Sequence, residues 1–189
     1  MNTLVKFLLF LTLSISAAHG AEFNTLSIAQ SRVSFAYQQM GVPMEGNFKR
    51  FGGQLTFDPA KPTLAKTALN IDLASIDTGT TEGDKEVAGK LWFNSKQFPI
   101  ARFVSTSVKP LGNNRFLVTG KMNIKGRTRV VSTPARFRQQ GANGVFEGAF
   151  VLKRADYGIG EGIWADFDAV ANEVQIKFRL VASAASKKQ

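Results

Sequence analysis

The 189-residue sequence contains no cysteine and a single histidine, His19. Without cysteine there are no disulfides, no thiolate chemistry and no lipid-modified amino-terminal cysteine, so stability has to come from a packed core. His19 lies in a segment that reads as a cleaved leader, and its loss leaves a mature chain with neither His nor Cys. That excludes Ser-His-Asp and Cys-His nucleophilic sites together with the usual zinc and copper ligand sets. Carboxylate acid/base work and oxygen-ligated Ca²⁺ or Mg²⁺ survive the exclusion, but the fourteen acids lack the close spacing of a calcium loop. The nearest pair, Asp166 and Asp168, reads as two solvated carboxylates beside a turn. No catalytic residue, metal or cofactor is indicated. Acids are also missing from one long stretch: Val87 to Phe146 holds none, against eleven cations.

Long apolar runs are equally scarce. The one candidate, Phe7 to Ile15 after Lys6, is too short to span a bilayer and is followed by the small residues Ala18 and Gly20. It reads as a signal peptide over residues 1–20, cut after Gly20, which predicts export to the periplasm. The mature segment 21–183 is the right size for one domain with a substantial interior, and residues 184–189 read as a small, polar, flexible tail.

What remains is a succession of alternating segments. Arg32 to Gln39 places Val33, Phe35 and Tyr37 on one face, and Phe48 to Phe57 follows with Gly52-Gly53 inside it, a pair expected to serve a bulge or sharp bend. Leu69, Ile71 and Leu73 alternate in the next strand. Ser75 to Gly79 then reverses the chain, and Thr80 to Lys90, with Glu82, Asp84 and Glu86 ahead of Lys90, reads as one short surface helix. After Phe98-Pro99 come a strand through Phe103, then Arg115 to Ile124 carrying Val118 and Met122, Thr128 to Arg138, Val145 to Leu152 carrying Phe150, and Asn172 to Val181 carrying Ile176 and Phe178. Eight evenly spaced strands predict an all-β, antiparallel up-and-down barrel with one helix inserted near residues 80–90, because closure removes both edges. A two-sheet sandwich would bury the same faces.

The order of several short motifs resembles the YceI-like family. They are Met40-Gly41-Val42, Gly46-Asn47-Phe48, Phe51-Gly52-Gly53, Phe57-Asp58-Pro59, Ser75 to Gly79, Asp84, Phe93, Phe98-Pro99, Phe103 with Ser105-Thr106, Gly120, Gly126, Arg154 with Asp156 to Ile159, and Val174 to Phe178. The resemblance implies a periplasmic, lipocalin-like barrel with a polyisoprenoid lipid in its interior. The chain departs from the family locally, with Gly83-Asp84 and Glu86-Val87 where Arg-Asp and His-Leu are usual, and with Leu91-Trp92 in place of an acid-aromatic pair.

On that reading the inward residues Val33, Phe35, Tyr37, Phe57, Leu69, Ile71, Phe103, Val118, Met122, Phe150, Trp164, Ile176 and Phe178 would contact hydrocarbon. Sixteen phenylalanines, fourteen of them beyond the leader, suit such a lining, since most of the aromatic area lacks a polar handle. Arg154, Asp156, Tyr157 and Asp84 are the expected head-group or mouth residues, Arg154 because a guanidinium grips phosphate in a forked geometry and otherwise as the surface ion-pair partner of Asp156. The expected function is a non-enzymatic carrier or sequestering protein for an isoprenoid quinone or prenyl phosphate type of lipid. The competing reading is a structural or stress-response module with a barrel filled by its own phenylalanines.

Charge adds a second expectation. Losing Lys6 with the leader takes the formal charge from +10 to +9, and the acid-free stretch should gather its cations on one wall. Nucleic acid is not an expected partner of an exported protein. An anionic membrane is, through Lys121, Lys125, Arg127 and Arg129.

Overall fold

In the computed structural model, which describes residues 22–184, the alternating segments join into one antiparallel sheet of eleven strands. They are β1 (Phe23–Leu26), β2 (Arg32–Gln39), β3 (Val42–Phe48), β4 (Phe51–Thr56), β5 (Lys66–Asp72), β6 (Ile76–Asp77), β7 (Ile100–Gly112), β8 (Arg115–Ile124), β9 (Arg127–Gln140), β10 (Asn143–Lys153) and β11 (Glu173–Ala184). The leader expected over 1–20, and all but the first residue of the tail expected over 184–189, lie outside the described residues.

Hydrogen-bonded neighbours run β4-β5-β7-β8-β9-β10-β11-β2-β3-β6, with β1 added on β11. The sheet curls into a half-barrel. At one point its seam is drawn together, where Phe23 of β1 and Phe57, one residue past β4, exchange both backbone bonds at 2.9 and 3.0 Å. The meander from β7 to β11 follows the expected order, and the helix α1 (Thr81–Ala88) falls inside the expected 80–90 window.

The count of eight strands is replaced by eleven for identifiable reasons. Met40 and Gly41 both take left-handed backbone (φ 49° and 76°), a two-residue hairpin that turns β2 back into β3. β3 was hidden because Val42-Pro43-Met44-Glu45-Gly46 does not alternate. β1 and β6 are too short to show a period. The expected bulge at Gly52-Gly53 is absent, since β4 pairs with β5 in unbroken register from Phe51–Ile71 to Thr56–Lys66. Gly53 serves close approach instead, as a side chain there would strike the Ala68 carbonyl. The register shifts sit in β7, between Ser105 and Ser107 and between Pro110 and Gly112.

The interior has two parts. At one end Phe23, Phe57, Phe116, Phe137 and Phe146 pack with Leu55, Val108 and Leu180. At the other, Leu73, Trp92, Ala101, Ile124, Leu152, Tyr157, Ile159 and Val170 form a second cluster. β8 runs from one to the other, Phe116 to Ile124, a separation of roughly 26 Å at strand rise.

Candidate lipid-binding cavity

Between the two clusters lies a cavity of about 600 Å³ whose walls are overwhelmingly apolar. Its side walls come from alternate residues of six strands, as the pleat requires: Val33, Phe35 and Tyr37 of β2, Leu69 and Ile71 of β5, Phe103 of β7, Val118 and Met122 of β8, Phe150 of β10, and Ile176 and Phe178 of β11. Trp164, from the loop before β11, also lines it. Twelve of the thirteen residues expected on the hydrocarbon wall are therefore there. Phe57 is not. It sits behind the floor in the phenylalanine cluster, its ring 4.7 Å from that of Phe137 and 5.1 Å from that of Phe146.

Three wall phenylalanines are accommodated by glycine on the neighbouring strand. Phe178 faces Gly148 and Phe35 faces Gly46 in direct register, while Phe103 lies over Gly120. A β-carbon at any of these glycines would fall against the ring, so the missing side chain lets the ring lie along the wall instead of projecting across the cavity.

One end of the cavity is polar. Thr78, Thr80, Glu82, Gly83 and Glu86, from α1 and the segment leading into it, line it there. α1 is fixed at its start by Thr80, whose side-chain oxygen accepts from Gly83 N at 3.1 Å. Asp84, expected to meet a head group, is occupied: its Oδ1 accepts from Thr78 N at 2.7 Å and from Thr78 Oγ1 at 2.8 Å. Glu86 Oε1 accepts from Trp164 Nε1 at 2.6 Å, so the indole spans from its loop to the helix and lies 5.6 Å from the Trp92 ring.

Arg154 corrects a second expectation. It is neither a phosphate clamp nor the surface partner of Asp156, being only 1% exposed. Its guanidinium donates to six backbone carbonyls: Nε to Val170 and Ala171, Nη1 to Ile159 and Gly160 at 2.9 Å each, Nη2 to Val170, Trp164 and Asp166. The cation also lies 5.5 Å from the Trp92 ring and 5.2 Å from that of Phe167. Burial lowers its pKa from the ordinary arginine value. All of its donors are engaged in pinning the loops that frame the polar end, leaving none for a ligand. Tyr157 is likewise 1% exposed and outside the cavity, with its phenol pushed up chiefly by burial, while Asp156 is exposed at the surface. Tyr37, on the wall, is also held up by burial and stays a neutral donor.

The sequence reading missed Trp92, Phe93, Leu73 and the helix residues Glu82 and Glu86 among the lining. A signal existed for the helix, since Gly83, Glu86 and Val87 share the i, i+3, i+4 face that turns inward. Two buried donors, Trp92 Nε1 and Tyr157 Oη, lack a partner among the described residues, and both belong to the cluster at the polar end.

The basic stretch forms one wall, because β7, β8 and β9 are adjacent and expose Arg102, Lys109, Arg115, Lys121, Arg136 and Arg138 on their outer face, while Arg127 and Arg129, opposite the lining residues Ile124 and Met122, stand on the inner face at its exposed rim. Two of the four expected membrane cations are engaged elsewhere. Lys125, 9% exposed, donates to the Gly158 carbonyl at 2.5 Å and to Glu161 at 2.9 Å, and Arg127 reaches the same carboxylate at 3.3 Å. The Lys125 hydrogen bond is the main reason the Glu161 carboxyl lies below its ordinary range.

Comparison with known proteins agrees with this architecture. A family model described as the YceI-like domain matches residues 25–182. A UPF0312 protein of Azotobacter vinelandii is 35% identical over 134 residues, covering 67% of this chain and 70% of its own length. The crystal structure of BcnA from Burkholderia cenocepacia superposes with a TM-score of 0.82 at 45% identity, over 84% of this chain and 99% of that one. A polyisoprenoid binding domain from Saccharophagus degradans shares the fold, with a TM-score of 0.66 at 17% identity over 86% of this chain and 98% of its own. The chain thus belongs to the YceI-like family.

Proposed function

We propose that the protein is a non-enzymatic carrier or sequestering protein that holds a long-chain polyisoprenoid inside a lipocalin-like barrel. The observation that carries this reading is the apolar cavity of about 600 Å³, lined by phenylalanine and aliphatic side chains and polar at one end. A volume in this range suits a small-molecule site. Each methylene moved from water onto such a wall contributes about 0.8 kcal/mol, so a few prenyl units offset the ordering of a flexible chain. The polyisoprenoid binding domain of Saccharophagus degradans, which shares the fold, supports the lipid class. A solid, surface-acting barrel would need this space filled at ordinary core density.

Of the two head-group classes, the neutral isoprenoid quinone type suits the polar end better than a prenyl phosphate. The charged lining residues are Glu82, Glu86 and Arg154, and Arg154 has no free donor. An anionic phosphate entering there would face carboxylates with no available cation. On this proposal the chain acts in the periplasm after cleavage behind Gly20, and it meets anionic membrane through the cations of its basic wall.

The test is solvent extraction and native mass spectrometry of protein purified from periplasm, with a fluorescent prenyl probe as a second readout. A co-purifying isoprenoid and saturable probe binding are expected. Repeated absence of lipid, together with no probe binding, overturns the proposal.

A further inference from the structure

We propose that the phenylalanine cluster at the closed end is a chain-length stop, and that Phe146 is its face. This deepens the lipid-carrier reading and rests on it. The cavity ends on Leu55, Phe146 and Leu180, buried lining residues that belong to the aromatic cluster, and on the buried lining residue Ala135, which pairs with the cluster's Phe116 across β8 and β9. Behind Phe146 stand Phe57 and Phe137, both with ring centroids 5.1 Å from it, and Phe116 stands 5.4 Å beyond Phe57.

A flexible tail can push aside one side chain that has somewhere to go. Phe146 does not, because its ring meets Phe57 nearly edge-on at 83° and Phe137 at 43°, and those two are themselves packed tilted at 44° with centroids 4.7 Å apart. Movement of one ring requires movement of all, in an interior that is close-packed and shifts between discrete arrangements only. The opposite end has no such backing: it is lined by threonines and carboxylates of α1 and its lead-in. A prenyl chain therefore enters from the α1 end, runs along the wall and halts at Phe146. Units beyond the stop stay outside and add nothing.

The consequence is a plateau. Across a series of neutral prenyl alcohols, affinity rises about fourfold per methylene buried until the tail meets the floor, and then levels off. Phe146→Ala opens space of about the bulk of one prenyl unit and should move the plateau to the next longer homologue, with shorter homologues little changed. Ala135→Leu raises the floor and should move the plateau the other way, and the protein should stay folded because the added carbons enter existing space. Both proteins are checked for cooperative unfolding, then titrated against the same alcohols by calorimetry. Plateau lengths that shift in opposite directions support the stop. An identical plateau in all three proteins, with binding retained, overturns it and leaves the carrier reading standing. Failure of every prenyl alcohol to bind any of the three overturns the carrier reading itself.

Discussion

The two ends of this interior are built from the same residue types and do opposite things. At the β1 end, five phenylalanines interlock with neighbouring centroids 4.7 to 5.4 Å apart, and the space is full. Toward α1, Phe35, Phe103, Phe150 and Phe178 line a void. Composition does not make the difference. At the β1 end each of the five rings closes on another ring, whereas Phe103 and Phe178 lie against Gly120 and Gly148 with the cavity in front of them. Polar bookkeeping differs in the same direction. Both orphaned donors, Trp92 Nε1 and Tyr157 Oη, and the buried Arg154 cation are at the α1 end. Proteins relax the rules of full packing and full satisfaction where they bind things, and this one keeps the two regimes in separate halves.

The largest effect should come from identical truncations at the two ends. Phe57→Ala removes a ring enclosed on several sides and should destabilise the protein by about 3–5 kcal/mol, read as a lower denaturant midpoint at unchanged slope. Phe150→Ala, from a half-buried ring already facing a void, should cost well under half as much. Equal losses would mean that the hollow end is not hollow in solution.

The converse change sharpens the contrast within one residue pair. Val108 and Val118 face each other across β7 and β8, yet Val108 belongs to the packed cluster and Val118 lines the cavity. Val108→Phe should cost about 1–3 kcal/mol by overpacking. Val118→Phe should leave stability nearly unchanged and weaken a prenyl probe about tenfold, because the ring takes space the tail would occupy. Undiminished probe binding by Val118→Phe would place the lipid somewhere other than this cavity.

These contrasts also explain what the sequence could and could not tell. Alternation in β2, β5, β7, β8, β10 and β11 reports which side chains point inward, and it accounts for eleven of the twelve wall residues, Trp164 being in a loop. It carries no information about position along the barrel axis, so Phe57 was grouped with the wall although it belongs behind the floor. Arg154 was legible as an unusual charge but not in its role, because its partners are carbonyls of residues 159 to 171, which have no side-chain signature. Asp84 failed for a related reason: its bonds to Thr78 are local turn chemistry, which a carboxylate supplies as readily as it meets a ligand. β3 was lost to Pro43 and Gly46, residues that break the period while the hairpin at Met40-Gly41 enforces the pairing.

The smallest predicted effect concerns the outer wall, where the same two ends can be compared in charge. Arg115 lies at the phenylalanine end, directly opposite Arg136, while Lys121 is nearer the α1 end and Arg129, opposite Met122, stands at the inner rim there. Lys125 and Arg127 are withdrawn from this set by Glu161, so reversing them would release the loop over Gly158 as well as alter surface charge. If lipid passes between membrane and cavity at the α1 end, the cations closest to that end should dominate the contact. Each cation near an anionic surface contributes about 1 kcal/mol, so Lys121→Gln or Arg129→Gln should lower partitioning onto phosphatidylglycerol vesicles about fivefold at low ionic strength. Arg115→Gln should matter less, and all three differences should fade at high salt as screening shortens the reach of each charge. Vesicle sedimentation at two salt concentrations measures this directly. Equal losses at both ends would mean a wall that attracts anions without orienting the mouth, and no preference for anionic over neutral vesicles would remove the membrane contact from the proposal.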